Sequence, residues 1–505
     1  MSDESGALLR LAVSRHQAGD LEQAIGAYRR VLASRPRDPD ALHLLGVALA
    51  QKGSYAEAVP LMSAAANISP GNATAQLHLG NALTALERHA EALSCYERVI
   101  SLEPRNAQAH VRRGIAQARL GHLDGAEECF QRALRENPAD ADAHYNLGNI
   151  RAVLHRNNPA LAIRSFSRAL ELNPRYPGAR WNIALLKLLG GEWREGWELY
   201  EERFSIDAGR GSAPRVSQPR WTGREDLRGR RILLWAERGL GDTLQFCRYA
   251  PLVRNRGADV TLAVQPQLKA LLDGRFTGVR VVGQDEPLGP FDYQCPLLSL
   301  PRAFDTQPDT IPASSSYLEA DVEAVRSWSA RLPGGAPVRV GIAWQGNAEA
   351  EKNWARGRSM PLTALAPLAR REDVRLISLQ TGQGARQLEG SDFADRILSF
   401  GDDLDAGPDA FRDTAAIVTS LDLVISTDTA IAHLAGALGT PVWVALHATS
   451  EWRWLLARED SPWYAGMRLF RQRTLGRWDQ VVEDICVAVG ALRSTRPPSQ
   501  GSGAA

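Results

Sequence analysis

Five prolines, Pro36, Pro70, Pro104, Pro138 and Pro174, stand 34, 34, 34 and 36 residues apart, and each closes a near-copy of one unit. A fixed period of this length excludes a single globular core. Each unit is a supersecondary element that covers its apolar face only against its neighbours. Ala24, Ala58, Ala92, Ala126 and Ala162 hold one position of the repeat, and four residues later come Tyr28, Met62, Tyr96, Phe130 and Phe166. The small residues let two antiparallel helices approach closely, and the large ones fill the gap between units. Proline, lacking an N–H, ends each second helix. The pattern predicts an α-solenoid over residues 1–205.

Leu-Gly pairs complete the unit: Leu45-Gly46, Leu79-Gly80 and Leu147-Gly148. With them the repeat resembles the tetratricopeptide family. That resemblance implies a concave groove presented to another protein, not a site of chemistry. The remainder of the 505-residue chain is then a separate device that the groove serves.

Composition excludes several classes. Arginine outnumbers lysine 55 to 4, but 58 acidic residues oppose the 59 basic ones and the net charge is +1. No global field draws the chain to nucleic acid or to a membrane. The five cysteines show no CxxC spacing, and Cys95 and Cys129 occupy the same place in successive repeats, as packing residues do. Neither structural zinc nor disulfides are expected. The opening MSDESGALLR has no basic-then-apolar signal region, and no apolar run reaches the ~20 residues of a membrane span. A cytoplasmic protein is the expectation.

All 13 tryptophans lie at or after Trp181, which marks a change of architecture. Trp193, Trp197 and Tyr200 replace the small positions of the last repeat, so that repeat is expected to dock on the next domain. Residues 206–228 read as a linker, rich in Gly, Ser and Pro. From Gly229 short apolar runs alternate with amphipathic stretches, the pattern of βαβ units. One lobe spans residues 229–335, with strands at 231–236, 260–264 and 279–282. A second spans 336–493, with strands at 338–344, 375–379, 423–426 and 442–446. Residues 494–505 read as a disordered tail.

Ligands of open parallel sheets bind beyond the carboxyl ends of the strands. Four such ends are polar here. Gln345, Gly346 and Asn347 follow the first strand of the second lobe; Gln380, Thr381 and Gly382 follow the next; Ser426, Thr427, Asp428 and Thr429 end the third; His447 ends the fourth. The Ser-Thr-Asp-Thr turn should open a helix whose N–H groups and dipole attract a phosphate. Thr427 or Asp428 could equally cap that helix. His433, one turn on, fits either a ligand-facing or a core position. In the first lobe, Gly239-Leu240-Gly241-Asp242 ends a strand, with a helix expected from Thr243 and Gln245 on it. No GxGxxG follows, which argues against a dinucleotide. Asp242 either caps the helix or takes a proton from an acceptor hydroxyl. Lys352, Arg356 and Arg358 lie in a polar loop and could neutralise a phosphate, with Ser359 capping the helix after it. Asp403-Leu404-Asp405 imitates a metal-binding DxD but lies in an acidic loop away from any strand end. The aromatic-rich Glu451-Trp452-Arg453-Trp454 and Ser461-Pro462-Trp463-Tyr464 read as packing between lobes.

GLGD with its helix and STDTAIAHLAGALGTPVWV resemble the first and last motifs of heptosyltransferase-like glycosyltransferases of the two-lobed GT-B fold. With the repeat arm, GWELYEERF (196–204), EWRW, SPWY and RLFRQ (468–472), the chain is similar to tetratricopeptide glycosyltransferases that modify flagellin with nonulosonic acids. The O-GlcNAc transferases share the arm-plus-GT-B plan. Their asparagine ladder falls here on Leu44, His78, Arg112, Asn146 and Asn182, of which two comply. The resemblance implies an inverting, metal-independent transfer from a nucleotide sugar, with no other cofactor, to Ser or Thr of a recruited protein. The acceptor it points to is flagellin and the donor a CMP-nonulosonic acid. It makes Asp242 the general base and sets Asp428, Thr429 and His433 on the donor side, while the loop near Lys352 departs from the heptosyltransferase pattern. The polar strand ends add Gln345, Asn347, Gln380, Ser426 and Thr427 to the donor side, and the loop adds Arg358. Gly239, Gly241 and Gln245 fall on the acceptor side. A UDP- or ADP-sugar donor, and a non-catalytic adaptor, are the competing readings.

Overall fold

The computed structural model describes residues 2–206, 216–312, 316–334, 338–347, 357–407 and 410–494. The chain forms two compact units, Met1–Asn182 and Ile183–Ala505.

The first unit is a stack of helical hairpins running from Ser2–Gln17 to Pro159–Leu172. The first helices of four successive repeats start on the same device. Asp38, Asn72, Asn106 and Asp140 stand 34 residues apart, and each side chain accepts from the backbone N–H three residues on, at 2.9 to 3.0 Å. Such a cap contributes ~1 kcal/mol to its helix. The Leu-Gly glycine explains the interior. A Cβ on Gly80 would lie 2.6 Å from Cε1 of Tyr96; one on Gly46, 2.6 Å from Cγ of Met62; one on Gly148, 2.7 Å from Cδ1 of Phe166. The large side chain of one helix therefore lies on the bare backbone of its partner, and Tyr96 and Phe166 are at most 1% exposed. Glycine inside a helix costs ~1 kcal/mol against alanine, which this burial more than offsets.

The second unit begins with the last turns of the helix Ala179–Leu189 and continues through Trp193–Tyr200 and Glu201–Phe204. Two sheets follow, each wholly parallel. The first contains β1 (Arg231–Trp235), β2 (Asp259–Val264), β3 (Val279–Gly283) and β4 (Tyr293–Pro296), in the order β3-β2-β1-β4. The second contains β5 (Val338–Ala343), β6 (Val374–Ser378), β7 (Ile397–Leu398), β8 (Leu423–Thr427), β9 (Val442–Leu446) and β10 (Met467–Arg471), in the order β10-β9-β8-β5-β6-β7. The fold is thus an α-solenoid of helical hairpins followed by an α/β region of two Rossmann-like lobes.

Strands β4, β7 and β10 have no counterpart in the sequence expectation. β4 carries a buried Gln294 and ends in proline, and β7 is two residues long, so neither shows an apolar run. Residues 219–221, expected as linker, lie along β4: Gln294 N–H donates to Pro219 and Trp221 N–H donates to Gln294.

Strand order decides where a ligand can sit. Successive crossovers run one way from β1 through β2 to β3, and β4 lies on β1's other side. In the second sheet the reversal falls between β5 and β8. A crevice opens at such reversals, beyond the carboxyl ends of the strands. GLGD follows β1, and the Ser426–Thr429 turn ends β8. The core of the second lobe packs Val340, Ile342 and Trp344 with Val482 and Ile485 of the closing helix Trp478–Ser494.

Candidate functional site

The helix after β1 begins at Leu240, not at Thr243, with Gly239 at its N-cap. Asp242 lies in its first turn, where one carboxylate oxygen, Oδ2, accepts from Gly239 N–H at 3.0 Å. Its other oxygen accepts from the Arg453 guanidinium. Asp242 therefore does bind the start of its helix, and it does so while held by a second, distant partner. A carboxylate has about four lone-pair sites, so two bonds leave capacity for a hydroxyl proton.

The helix after β8, Ala430–Leu438, has Thr429 at its N-cap, and no side chain caps it. Thr427 and Asp428 do not take that role. Ser426 Oγ is 2.9 Å from Thr429 Oγ1 and donates to the Thr427 carbonyl at 2.7 Å. Thr427 is fully buried, and its hydroxyl has no hydrogen-bond partner. The backbone donors of this helix end are thus not consumed by a neighbouring side chain, as an anion site requires.

The two helices touch. A Cβ on Gly241 would lie 2.7 Å from His433 Cδ2 and 3.4 Å from Ala430 Cα. Glycine is needed there so that the β1 turn can reach the β8 helix. His433 is 5% exposed, stacks on Trp454 with ring centroids 5.5 Å apart, and its Nδ1 is 2.9 Å from Tyr464 Oη. Burial first, then Arg453, Arg248 and Arg358, pushes its imidazole well below the ordinary value, so it is neutral. Its surroundings are those of a packed histidine that joins the two lobes.

Asp428 is 5% exposed. Burial, then the charge of Glu451, raises it to about 6, with Arg358 and Arg453 opposing the shift. The nearest Arg358 nitrogen is 4.0 Å from its Oδ2. Desolvation also opposes ionisation of Glu451, but Arg453 and Arg358 outweigh it and hold that carboxyl below its usual range. Around this helix end two arginines and three carboxylates lie together, with Arg453 and Asp428 buried and Arg358 and Glu451 open to solvent.

The strand ends after β5 and β6 are tied to each other. Gln380 Oε1 accepts from Trp344 N–H at 3.1 Å and Gln345 N–H at 2.9 Å, and its amide nitrogen donates to the Gln345 carbonyl at 3.1 Å. The Gln380 amide thus braces the β5 turn. The Gln345 side chain accepts from Gln387 at 2.5 Å, and Asn347 is exposed. Ser359 is not a helix cap: its Oγ accepts from Gly346 N–H at 3.1 Å. Lys352 and Arg356 lie outside the described residues. Asp403 accepts from Arg331 at 2.9 Å, and Asp405 from Thr414, so the DxD is spent on loop structure. Among the described residues no three His, Cys, Asp or Glu side chains form a metal cluster. Gln245 is fully buried; its Oε1 accepts from Arg453 Nε at 2.5 Å.

One buried ion pair carries no sequence signal, whereas the tryptophans expected to pack here do so. Arg203, fully buried, pairs with Glu237 through two bonds of 2.9 and 2.7 Å and with Ser299 Oγ at 2.7 Å. This pair ties the GWELYEERF segment to the ends of β1 and β4. Trp193 stacks on Trp463 at 5.3 Å, and Trp197 meets Trp452 edge-on at 5.1 Å. Arg471, at the end of β10, donates to the Trp454 carbonyl and to Ser450 Oγ at 2.7 Å. GWELYEERF, EWRW, SPWY and RLFRQ therefore converge on the loop that carries Glu451 and Arg453.

Residues 9–73, 49–100 and 79–145 match three profiles, each described as a tetratricopeptide repeat. The arm is a tetratricopeptide-repeat solenoid. Over 356 residues the chain is 30% identical to Protein FlbA of Caulobacter vibrioides, an alignment that takes in 63% of this chain. It spans 57% of that relative's length. Among solved structures, the chain resembles a MamA protein at 22% identity, covering 35% of this chain and 94% of that one, with a TM-score of 0.33. It also resembles YrrB at 25% identity, covering 35% of this chain and 91% of that one, with a TM-score of 0.33. No helix among the described residues is long and apolar enough to cross a membrane.

Proposed function

We propose that the α/β region is an inverting, metal-independent glycosyltransferase of the GT-B kind, moving a sugar from a nucleotide donor to Ser or Thr of a protein held by the repeats. Flagellin is the proposed acceptor and a CMP-nonulosonic acid the proposed donor, on the resemblance of the motifs. One observation carries the reading. The Asp242 turn from one sheet's reversal point meets an uncapped helix end at the other's, and Gly241 and His433 are in contact.

In this mechanism the donor phosphate lies at the Thr429 helix end, near Arg358. Asp242 accepts the hydroxyl proton, the oxygen bonds to the anomeric carbon from the opposite face, and the carbon–phosphate-oxygen bond breaks. The electron pair leaves with the nucleotide, whose charge the backbone donors and the arginine stabilise. A single displacement inverts the anomeric centre.

Asp242→Asn should lower the single-turnover rate by about 10²–10⁴-fold, the usual contribution of a general base, without weakening donor binding. Unchanged turnover would remove Asp242 from that role. Thermal shifts with CMP, UDP and ADP compounds identify the nucleotide, because a ligand of the folded state raises the melting temperature by mass action. No shift with any of them would leave the adaptor reading.

A further inference from the structure

We propose that Arg453 is the positioning residue for Asp242, an inference that rests on the transferase reading. The Arg453 guanidinium, 3% exposed, has three bonds. It donates to Asp242, to Gln245 Oε1 at 2.5 Å and to Glu451 Oε2 at 2.5 Å. Gln245 lies one turn beyond Asp242 on the same helix, so Arg453 grips that helix at two points from the second lobe.

A buried guanidinium is costly to desolvate, and an apolar residue of similar size is often the more stable choice where only packing is at stake. Here the surroundings are built to keep the charge aimed. Trp452 packs against Trp197 and Trp454 against His433, fixing both flanks of Arg453. Arg471 of β10 ties down the following carbonyl. The carboxylate of Asp242 is then fixed from two directions, by Gly239 N–H through one oxygen and by Arg453 through the other. Its plane cannot rotate, and its remaining lone pairs keep one direction. A base so held meets the acceptor hydroxyl without reorganising, which is where orientation lowers a barrier.

Other groups also face Arg453. Glu451 and Asp428 face it from the second lobe, and Tyr200 from the helix Trp193–Tyr200. Burial opposes its charge, but Glu451 and Asp242 hold it firmly cationic.

The test uses the full chain, with Arg453→Lys and the charge-balanced pair Arg453→Met/Glu451→Gln, each made alone and with Asp242→Asn. The paired change avoids leaving Glu451 without its cation, and the melting temperature shows which variants fold. Readouts are melting temperature, donor dissociation constant and single-turnover transfer. We expect transfer to fall by about 10²-fold with donor affinity within about threefold, because the interaction acts in the transition state. With Asn at 242 the same changes should cost less than about threefold, since coupled residues are not additive. Equal losses in both backgrounds, or full transfer without Arg453, would overturn the assignment. Absence of transfer by the unmodified chain with every donor would overturn the transferase reading itself, a separate result.

Discussion

In the repeat arm the contact that sets the fold joins neighbours in sequence. Gly80 accommodates Tyr96, sixteen residues on, and the same lock is repeated in the flanking units. In the α/β region the decisive contacts span far more chain: Arg203 to Glu237 is a separation of 34, and Arg453 to Asp242 one of 211. The arm repeats one solution, so damage to one lock is borne by one interface. The α/β region uses each solution once, so a single loss reaches both lobes.

The sharpest break of this comparison is Arg203→Met. It removes the main counterion of Glu237, which is 1% exposed, and leaves that carboxyl with the Leu298 N–H and the more distant charge of Arg238 against the cost of burial. Losing one partner of a buried pair costs ~3–5 kcal/mol. Denaturant unfolding should show that loss, and Arg203→Met/Glu237→Leu should recover most of it. If the single and double changes are equally stable, the pair is not what joins the GWELYEERF segment to the sheet.

A smaller effect separates the two regions by glycine. Gly80→Ala and Gly241→Ala both place a Cβ within 2.7 Å of a ring, and overpacking of this kind costs ~1–3 kcal/mol. The arm variant should melt earlier but keep donor binding and turnover. The Gly241 variant should lose turnover, because the displaced group is His433 at the meeting of the lobes. Equal activity of the two would show that this contact does not position the site.

A further effect is a pH dependence. Asp428 is raised to about 6 by burial first and Glu451 second, above the ~4 of an unfolded aspartate. Its folded form binds the proton more tightly, so stability falls as pH rises through that window and stays lower above it. Asp428→Asn should therefore match the parent near pH 4 and melt higher at pH 7. Parallel melting curves across that range would mean that Asp428 bears no such cost.

Legibility followed sequence distance. The alanine, large-residue and proline positions of the repeat recur with the period, and β1, β5, β8 and β9 are apolar runs, so each announces itself locally. Asp242 was legible as a carboxylate between a strand and a helix, but its place inside the helix's first turn and its bond to Arg453 were not. EWRW reads as packing, which Trp452 and Trp454 do, and only their placement reveals the arginine between them. Gln380 looks like a ligand group and Ser359 like a helix cap by position, yet backbone amides nearby bond to both oxygens.

The sequence alone determined the solenoid, the succession of parallel strands and the polar character of their ends, because all three arise from short-range spacing of apolar, small and capping residues. Only the tertiary structure decided which polar groups meet, which are spent on bracing loops, and which charges are buried together. Those outcomes depend on how strand order folds remote segments onto one crevice, and no local pattern carries that distance.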